Sequence, residues 1–108
     1  MKRTPISRSY ALSVAERLRD RLIEKKIPMR RIFVFGSAAQ GKTHQWSDID
    51  IAVVCDPFLS SKMDEMHACS REARTIDVRV EIVCFRPDDL QNKYSTIVQE
   101  VKRHGVSV

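Results

Sequence analysis

The sequence predicts an α/β (α+β) fold in which a small mixed β-sheet carries helices packed on it. Three observations support this class: apolar residues recur at helical spacing, two stretches alternate apolar and polar residues, and one short run is wholly apolar. The predicted order is helix, two strands, helix, strand, helix, with no repeat and no linker. Because single cores usually occupy 100 to 200 residues, about the length of this chain, residues 1–108 are expected to form one domain.

The first predicted element is a helix. Its apolar residues recur at i, i+4, i+7 and i+11, in the order Ala11, Ala15, Leu18 and Leu22. Ser13 followed by Glu16 fits a capping box, although Ser7 or Ser9 could begin the helix earlier. Pro28 follows the helix, as proline commonly does.

Two strands are predicted next. Residues 32–35 form a short apolar run stopped by Gly36, which is typical of a buried strand. A polar segment at residues 41–46 reads as a loop. The following residues then alternate, with Ile49, Ile51 and Val53 on one face and Asp48, Asp50 and Ala52 on the other. This pattern predicts a strand that turns one face to the core.

The second half of the chain contains weaker patterns. Residues 60–74 are predicted to be helical, and a third strand is predicted from Ile76 through Phe85, because apolar residues alternate there. Pro87 begins a turn or short helix. A last helix carries Val98 and Val101 and stops at Gly105, and residues 106–108 are a candidate terminal strand.

Composition limits the function classes. The net charge of +5 suits polyanionic partners such as nucleotides, but nothing specific in the sequence supports contact with RNA. The three cysteines contain no CxxC pair, which argues against a zinc ribbon or a redox motif, and their odd number favours a reducing compartment. Neither a leader nor a membrane-spanning stretch is expected. The sequence therefore predicts a cytoplasmic protein without a membrane partner.

The most informative stretch runs from Gly36 to Asp50. A strand that ends at Gly36 lets the backbone approach a ligand closely, and Ser37 offers a hydroxyl and an N–H group to a phosphate oxygen. Asp48 and Asp50, two residues apart on a strand, leave the same face. Two carboxylates held so closely repel each other, which predicts a cation between them. Hard oxygen ligands favour Mg²⁺, with substrate phosphates completing its shell.

A third carboxylate would hold a second metal ion. The third predicted strand supplies two candidates, Asp77 and Glu81, which lie four residues apart and hence on one face. Both residues flank Arg79, so they could instead form a charged outer face with a surface salt bridge. The Asp48–Asp50 pair could likewise be a solvated strand edge, were it not for its position after Gly36 and Ser37.

Gly36-Ser37, a spacer of ten residues and Asp48-Ile49-Asp50 resemble the motif of the polymerase-β-type nucleotidyltransferase superfamily. The flanking hydrophobic run to Val54 is similar to its minimal nucleotidyltransferase (MNT) branch. Arg79-Val80-Glu81 also matches an Arg-Ile-Glu sequence common in the family, which favours Glu81 over Asp77 as the third carboxylate.

The resemblance implies a role for each matched residue. Gly36 and Ser37 would hold the β- and γ-phosphates of ATP, and Asp48, Asp50 and Glu81 would ligate two Mg²⁺ ions. Many members carry arginine at the positions of Ala38 and Gln40, which leaves Lys42 as the nearest basic residue to the phosphates.

The resemblance further implies transfer of AMP from ATP to a hydroxyl acceptor. MNT proteins pair with an all-helical HEPN-type ribonuclease in toxin–antitoxin systems, and in some cases silence it by adding AMP to a tyrosine. Two alternatives remain. The chain could neutralise a partner by contact alone, which the missing arginines favour, or it could modify an aminoglycoside with a helical domain supplied by another chain.

Overall fold

The computed structural model describes residues 5–43 and 47–108. Four helices and four strands alternate along these ranges: α1 Arg8–Glu24, β1 Met29–Phe35, α2 Gly36–Gln40, β2 Ile49–Cys55, α3 Lys62–Arg74, β3 Val80–Phe85, α4 Thr96–His104 and β4 Val106–Ser107. A short 3₁₀ helix, Pro87–Gln91, follows β3. None of the described helices is long and apolar enough to span a bilayer.

The strands form one mixed sheet in the order β3-β2-β1-β4. β1 pairs antiparallel with both β2 and β4, whereas β2 and β3 run parallel, because α3 returns the chain to the edge at which β2 began. The mixed α/β class predicted from the sequence is therefore confirmed.

Both faces of the sheet are covered. Ile32 and Val34 of β1 and Ile51 of β2 pack in a core with the apolar stripe of α1 and with Cys69 and Ala73 of α3. The alternate residues of the same strands pack on the opposite face with Val98 and Val101 of α4. The alternation seen in the sequence thus separates two cores, and Asp50 projects from the face that α4 covers.

The helices α1, α3 and α4 each begin after a serine whose side chain caps the helix. The Ser7 side chain accepts a hydrogen bond from the Tyr10 N–H, so α1 begins at the earliest of its three predicted starts. Ser61 and Ser95 cap α3 and α4 in the same way. The predicted loop at residues 41–46 falls partly outside the described residues, and residues 1–4 lie wholly outside them.

One predicted element begins later than expected. β3 starts at Val80 rather than Ile76, and the side chain of Val78 is 81% exposed. Asp77 accepts backbone hydrogen bonds in a turn after α3, and Val80 donates its N–H to the Asp77 carbonyl. Asp77 and Glu81 therefore do not share the face of a strand, and that prediction was wrong.

Candidate functional site

The carboxylates of the predicted site come together where β2 and β3 begin. In the parallel ladder, Asp50 pairs directly with Glu81. Asp48 immediately precedes β2, two residues before Asp50, and the N–H of Ile49 between them donates to the Arg79 carbonyl at 3.0 Å. Register therefore places Asp50 and Glu81 side by side, with Asp48 adjoining them.

Asp50 is the most perturbed of these groups. Asp48 and Glu81 are exposed, whereas Asp50 is partly buried beside α4. Burial, followed by the charges of Glu81, Asp48 and Glu100, raises the pKa of Asp50 to about 6. Every one of the charged neighbours named here is negative, so the ionised cluster lowers the stability of the fold unless a cation is bound.

Gly36 forms one wall of this cluster. Its φ is +68°, and a Cβ atom added there would lie 2.3 Å from Asp50 Oδ2. Gly36 follows Phe35, which pairs with Asp50 in the antiparallel β1–β2 ladder. A residue without a side chain is needed here for two independent reasons, since L-residues rarely adopt this φ and the Asp50 carboxylate occupies the space.

Ser37 and Lys42 lie at opposite ends of the α2 segment. Ser37 is the second residue of α2, next to Gly36, and is partly buried. The backbone N–H of Lys42 donates to the Ser37 carbonyl at 2.9 Å, while the Lys42 side chain is exposed. The Ala38 side chain is fully buried and Gln40 is exposed. Neither side chain carries a positive charge, so neither supplies a cation near Asp50.

Asp77 belongs to a different group of side chains. Its carboxylate accepts hydrogen bonds from Arg79 N–H, Nε and Nη2 at 2.8, 3.1 and 2.9 Å and from Tyr10 Oη at 2.7 Å. The hydrogen bonds from Arg79 hold the pKa of Asp77 well below its usual range. With its oxygens occupied by α1 and by Arg79, Asp77 is unsuited to hold a metal beside Asp50.

The donor set fits a hard divalent ion. Asp48, Asp50 and Glu81 offer only carboxylate oxygens, which Mg²⁺ prefers, and the pKa of Asp50 is raised by burial first and then by its negative neighbours. In the described part of the chain, the group of three ligand atoms that all lie within 4.8 Å of one another consists of cysteine thiols, not of these carboxylates.

The family model for the polymerase beta nucleotidyltransferase domain matches residues 16–107. The chain belongs to the polymerase beta nucleotidyltransferase family. This match includes β1, α2, β2 and β3, and therefore every residue that brings the carboxylates together. No curated protein sequence matches the chain.

Three solved structures resemble the chain in fold. A candidate nucleotidyltransferase from Sulfolobus solfataricus superposes with a TM-score of 0.66 at 20% identity, covering 93% of this chain and 80% of that one. A toxin–antitoxin structure with AMP-PNP gives 0.62 at 27% identity, covering 86% and 70%. A mutant of the toxin–antitoxin MntA-HpeT gives 0.60 at 26% identity, covering 86% and 69%. The chain is thus a nucleotidyltransferase-family protein similar to MNT proteins of toxin–antitoxin pairs.

Two residues that act on the groups around the site were not predicted from the sequence. Glu100 of α4 acts on Asp50 electrostatically, although it lies 50 residues away, and its place on the polar side of an amphipathic helix gave no signal of this. Tyr10 contacts Asp77 and has its ring 5.6 Å from the Arg79 guanidinium carbon. The spacing of Asp77 and Arg79 in the sequence did indicate the salt bridge between them.

Proposed function

We propose that the chain is an adenylyltransferase that moves AMP from ATP to a hydroxyl group, using two Mg²⁺ ions held by Asp48, Asp50 and Glu81. The observation that carries this proposal is the direct pairing of Asp50 with Glu81, next to Asp48, with the pKa of Asp50 raised to about 6. An all-carboxylate cluster of this kind is favourable only with a cation bound. Membership of the nucleotidyltransferase family agrees with that chemistry.

Gly36, Ser37 and Lys42 are proposed to bind the triphosphate. Because Gly36 has no side chain, the Asp50 carboxylate lies directly against the backbone of the β1–α2 turn, so a phosphate held by the Ser37 hydroxyl and N–H would lie next to that carboxylate. Lys42 follows α2 with an exposed side chain, long enough to turn toward a polyanion. These residues would fix the β- and γ-phosphates while the carboxylates lie toward the α-phosphate.

The reaction forms one bond and breaks one bond. The acceptor oxygen bonds to the α-phosphorus of ATP, the bond from that phosphorus to the oxygen bridging the β-phosphate breaks, and pyrophosphate leaves. Bound Mg²⁺ would polarise the phosphate and stabilise the leaving group. Glu81, which is exposed beside Asp50, accepts the proton that the acceptor hydroxyl loses.

The acceptor is proposed to be a HEPN-type helical protein, with this chain as the antitoxin of the pair. Support comes from the similarity to two toxin–antitoxin structures at 26% and 27% identity, one of them with AMP-PNP.

Labelled ATP tests the transfer itself. The protein, a co-expressed helical partner and Mg²⁺ would be incubated with ATP carrying ³²P at either the α- or the γ-phosphate. Adenylyl transfer labels the partner from α-labelled ATP and not from γ-labelled ATP. Label from the γ-position would indicate a kinase, and no label from either position would refute transfer to that partner.

A second candidate function is neutralisation of a partner by contact without turnover. It is favoured by one feature: the fully buried Ala38 and the uncharged Gln40 leave Lys42 as the nearest basic residue to the proposed phosphates. An Asp48→Asn/Asp50→Asn double variant separates the two functions. If the variant still neutralises the partner in cells, contact suffices, whereas loss of neutralisation by a folded variant supports catalysis.

A further inference from the structure

Three cysteines that are distant in sequence meet on the face of the sheet opposite Asp50. Cys55 ends β2, Cys69 lies within α3, and Cys84 is the next-to-last residue of β3. Their Sγ atoms all lie within 4.8 Å of one another. The pairing of Val53 with Cys84 explains the meeting, since it brings the ends of the two strands together beneath α3.

The three thiols are reduced, and solvent reaches the cluster from one side. All are free cysteines; Cys55 and Cys69 are fully buried, whereas Cys84 is partly exposed. Cys84 borders a surface cavity that Met63 and Met66 also line. An ion can therefore reach Cys84 first and the buried sulfurs behind it.

Electrostatics favour one thiolate in the cluster. Hydrogen bonds from Cys55 and Cys69 lower the pKa of Cys84, and the nearby Arg86 guanidinium acts in the same direction. The same contacts raise the pKa of Cys55. Cys84 is thus the thiol of the three that most readily gives up its proton, and the thiolate is the form that binds a metal.

A neighbouring carboxylate is already engaged. Glu65 lies one helical turn before Cys69 and is fully buried. One of its oxygens accepts from the N–H groups of Phe58 and Leu59 at 2.6 and 3.0 Å, and the other accepts from Arg86 Nε at 3.1 Å. Both of its oxygens already accept hydrogen bonds from these donors, so we count three sulfur ligands at this place and no oxygen ligand from Glu65.

We propose that Cys55, Cys69 and Cys84 together bind one thiophilic metal ion, of the Cu⁺ or Zn²⁺ class, through three thiolates. Binding forms three metal–sulfur bonds and releases the remaining thiol protons to solvent, with no electron transferred. Thiolates that share a zinc ion lie about 3.8 Å apart, given Zn–S bonds of about 2.3 Å, so only small side-chain rotations are needed. Soft sulfur ligands select copper(I) and zinc over Mg²⁺.

The two ions would differ in coordination. Cu⁺ accepts three thiolates as a complete set, whereas Zn²⁺ takes a fourth ligand, which a water in the cavity beside Cys84 supplies. Either ion would join β2, α3 and β3. Cys55 is five residues from Asp50 along β2, about 16 Å at the usual strand rise, so this site is separate from the carboxylates.

The test uses the full chain, freed of metal and kept reduced under anaerobic conditions. Cu⁺ and Zn²⁺ would be added in separate experiments, each in competition with a chromophoric chelator, and the stoichiometry read by native mass spectrometry. One ion per chain is expected. A Cys84→Ser variant should bind that ion at least about tenfold more weakly, since even outer partners of a metal ligand are worth about 10–100-fold in affinity. An Asp50→Asn variant should bind it as wild type does.

Alkylation provides a readout that requires no variant. The bound ion should slow the reaction of iodoacetamide with Cys84, the partly exposed thiol, in the folded wild-type protein. Circular dichroism would establish that each variant is folded. The proposal is overturned if folded wild type retains neither ion at one per chain, or if folded Cys84→Ser binds as tightly as wild type.

Discussion

Gly36 and Asp50 are in contact where β1 ends, and a Cβ atom at Gly36 would lie 2.3 Å from Asp50 Oδ2. The backbone turn after β1 and the carboxylate on β2 thus occupy adjoining space with no side chain between them. Gly41, at the other end of α2, has the same φ of +68°, yet a Cβ there would meet nothing within 4 Å. The two glycines share this φ and differ in what surrounds them.

Alanine substitutions at the two glycines separate the cost of backbone strain from the effect of crowding Asp50. Gly41→Ala should lower the free energy of unfolding by about 1–2 kcal/mol, the usual cost of a left-handed L-residue. Gly36→Ala should cost more, and should also displace the Asp50 carboxylate, so metal-dependent ATP binding should weaken at least about tenfold. Chemical denaturation and calorimetric titration measure the two effects. Equal ATP affinity in both folded variants would contradict a site at Gly36.

Removal of the Asp50 charge should stabilise the metal-free protein at neutral pH. The folded-state pKa of about 6 exceeds the ordinary value of 3.8, so the folded state binds more protons between these values. Stability therefore falls as pH rises through this window, and the full penalty remains above pH 6. Asp50→Asn should raise the unfolding free energy by about 1 kcal/mol above pH 6, after allowance for solvent screening, and not below pH 4.

Melting curves in chelator at several pH values check this difference. Asp88→Asn is the matched control, because Asp88 is exposed and lies in the 3₁₀ helix after β3. A gain in the melting temperature of Asp50→Asn that is the same at pH 4 and pH 8 would show that ionisation of Asp50 is not its cause.

Mg²⁺ should offset the loss of stability that the ionised Asp50 carboxylate causes. A ligand that binds only the folded state stabilises it by RT ln(1 + [L]/Kd), so Mg²⁺ with a nonhydrolysable ATP analogue should raise the wild-type melting temperature. The rise should grow between pH 5 and pH 7 as Asp50 ionises. Asp50→Asn should show little of it, and a rise of wild-type size in that variant would place the metal elsewhere.

Loss of the charge at Asp77 should lower stability, whereas loss of the charge at Glu81 should remove ATP binding. Asp77→Asn removes the ion pair with Arg79 and weakens the contact with Tyr10, so the unfolding free energy should fall by about 1.5–3 kcal/mol while ATP binding persists. Glu81→Gln should leave the unfolding free energy unchanged, because the Glu81 side chain is exposed. It should nevertheless remove metal-dependent ATP binding. Denaturant melts and titration of both variants test this; ATP binding by Glu81→Gln that matches wild type would exclude Glu81 as a ligand.

The sequence predicted the elements that have strong periodicity. The stripe of α1 and the alternation of Ile49, Ile51 and Val53 mark surfaces that must be buried, and each of these residues is buried. Residues 76–79 alternate as well, yet they form a turn, because Asp77 binds the Arg79 N–H and α1 instead of pairing with β2. Local pattern does not reveal such a tertiary contact.

The site was predicted in part for the same reason. Asp48 and Asp50 are two residues apart, so strand geometry alone places them together. The contact of Gly36 with Asp50 depends on the antiparallel register of β1 with β2, and the influence of Glu100 depends on how α4 packs. The meeting of Cys55, Cys69 and Cys84 arises from the parallel β2–β3 pairing, which widely spaced cysteines cannot indicate.

The most direct measurement is calorimetric titration of ATP into the purified chain at pH 7.5, with Mg²⁺ or with chelator, beside the Asp48→Asn/Asp50→Asn double variant. We expect saturable binding by wild type that requires Mg²⁺, and none by the folded double variant. Binding of equal affinity with and without Mg²⁺, or in both proteins, would contradict a metal-dependent nucleotide site at Asp48, Asp50 and Glu81.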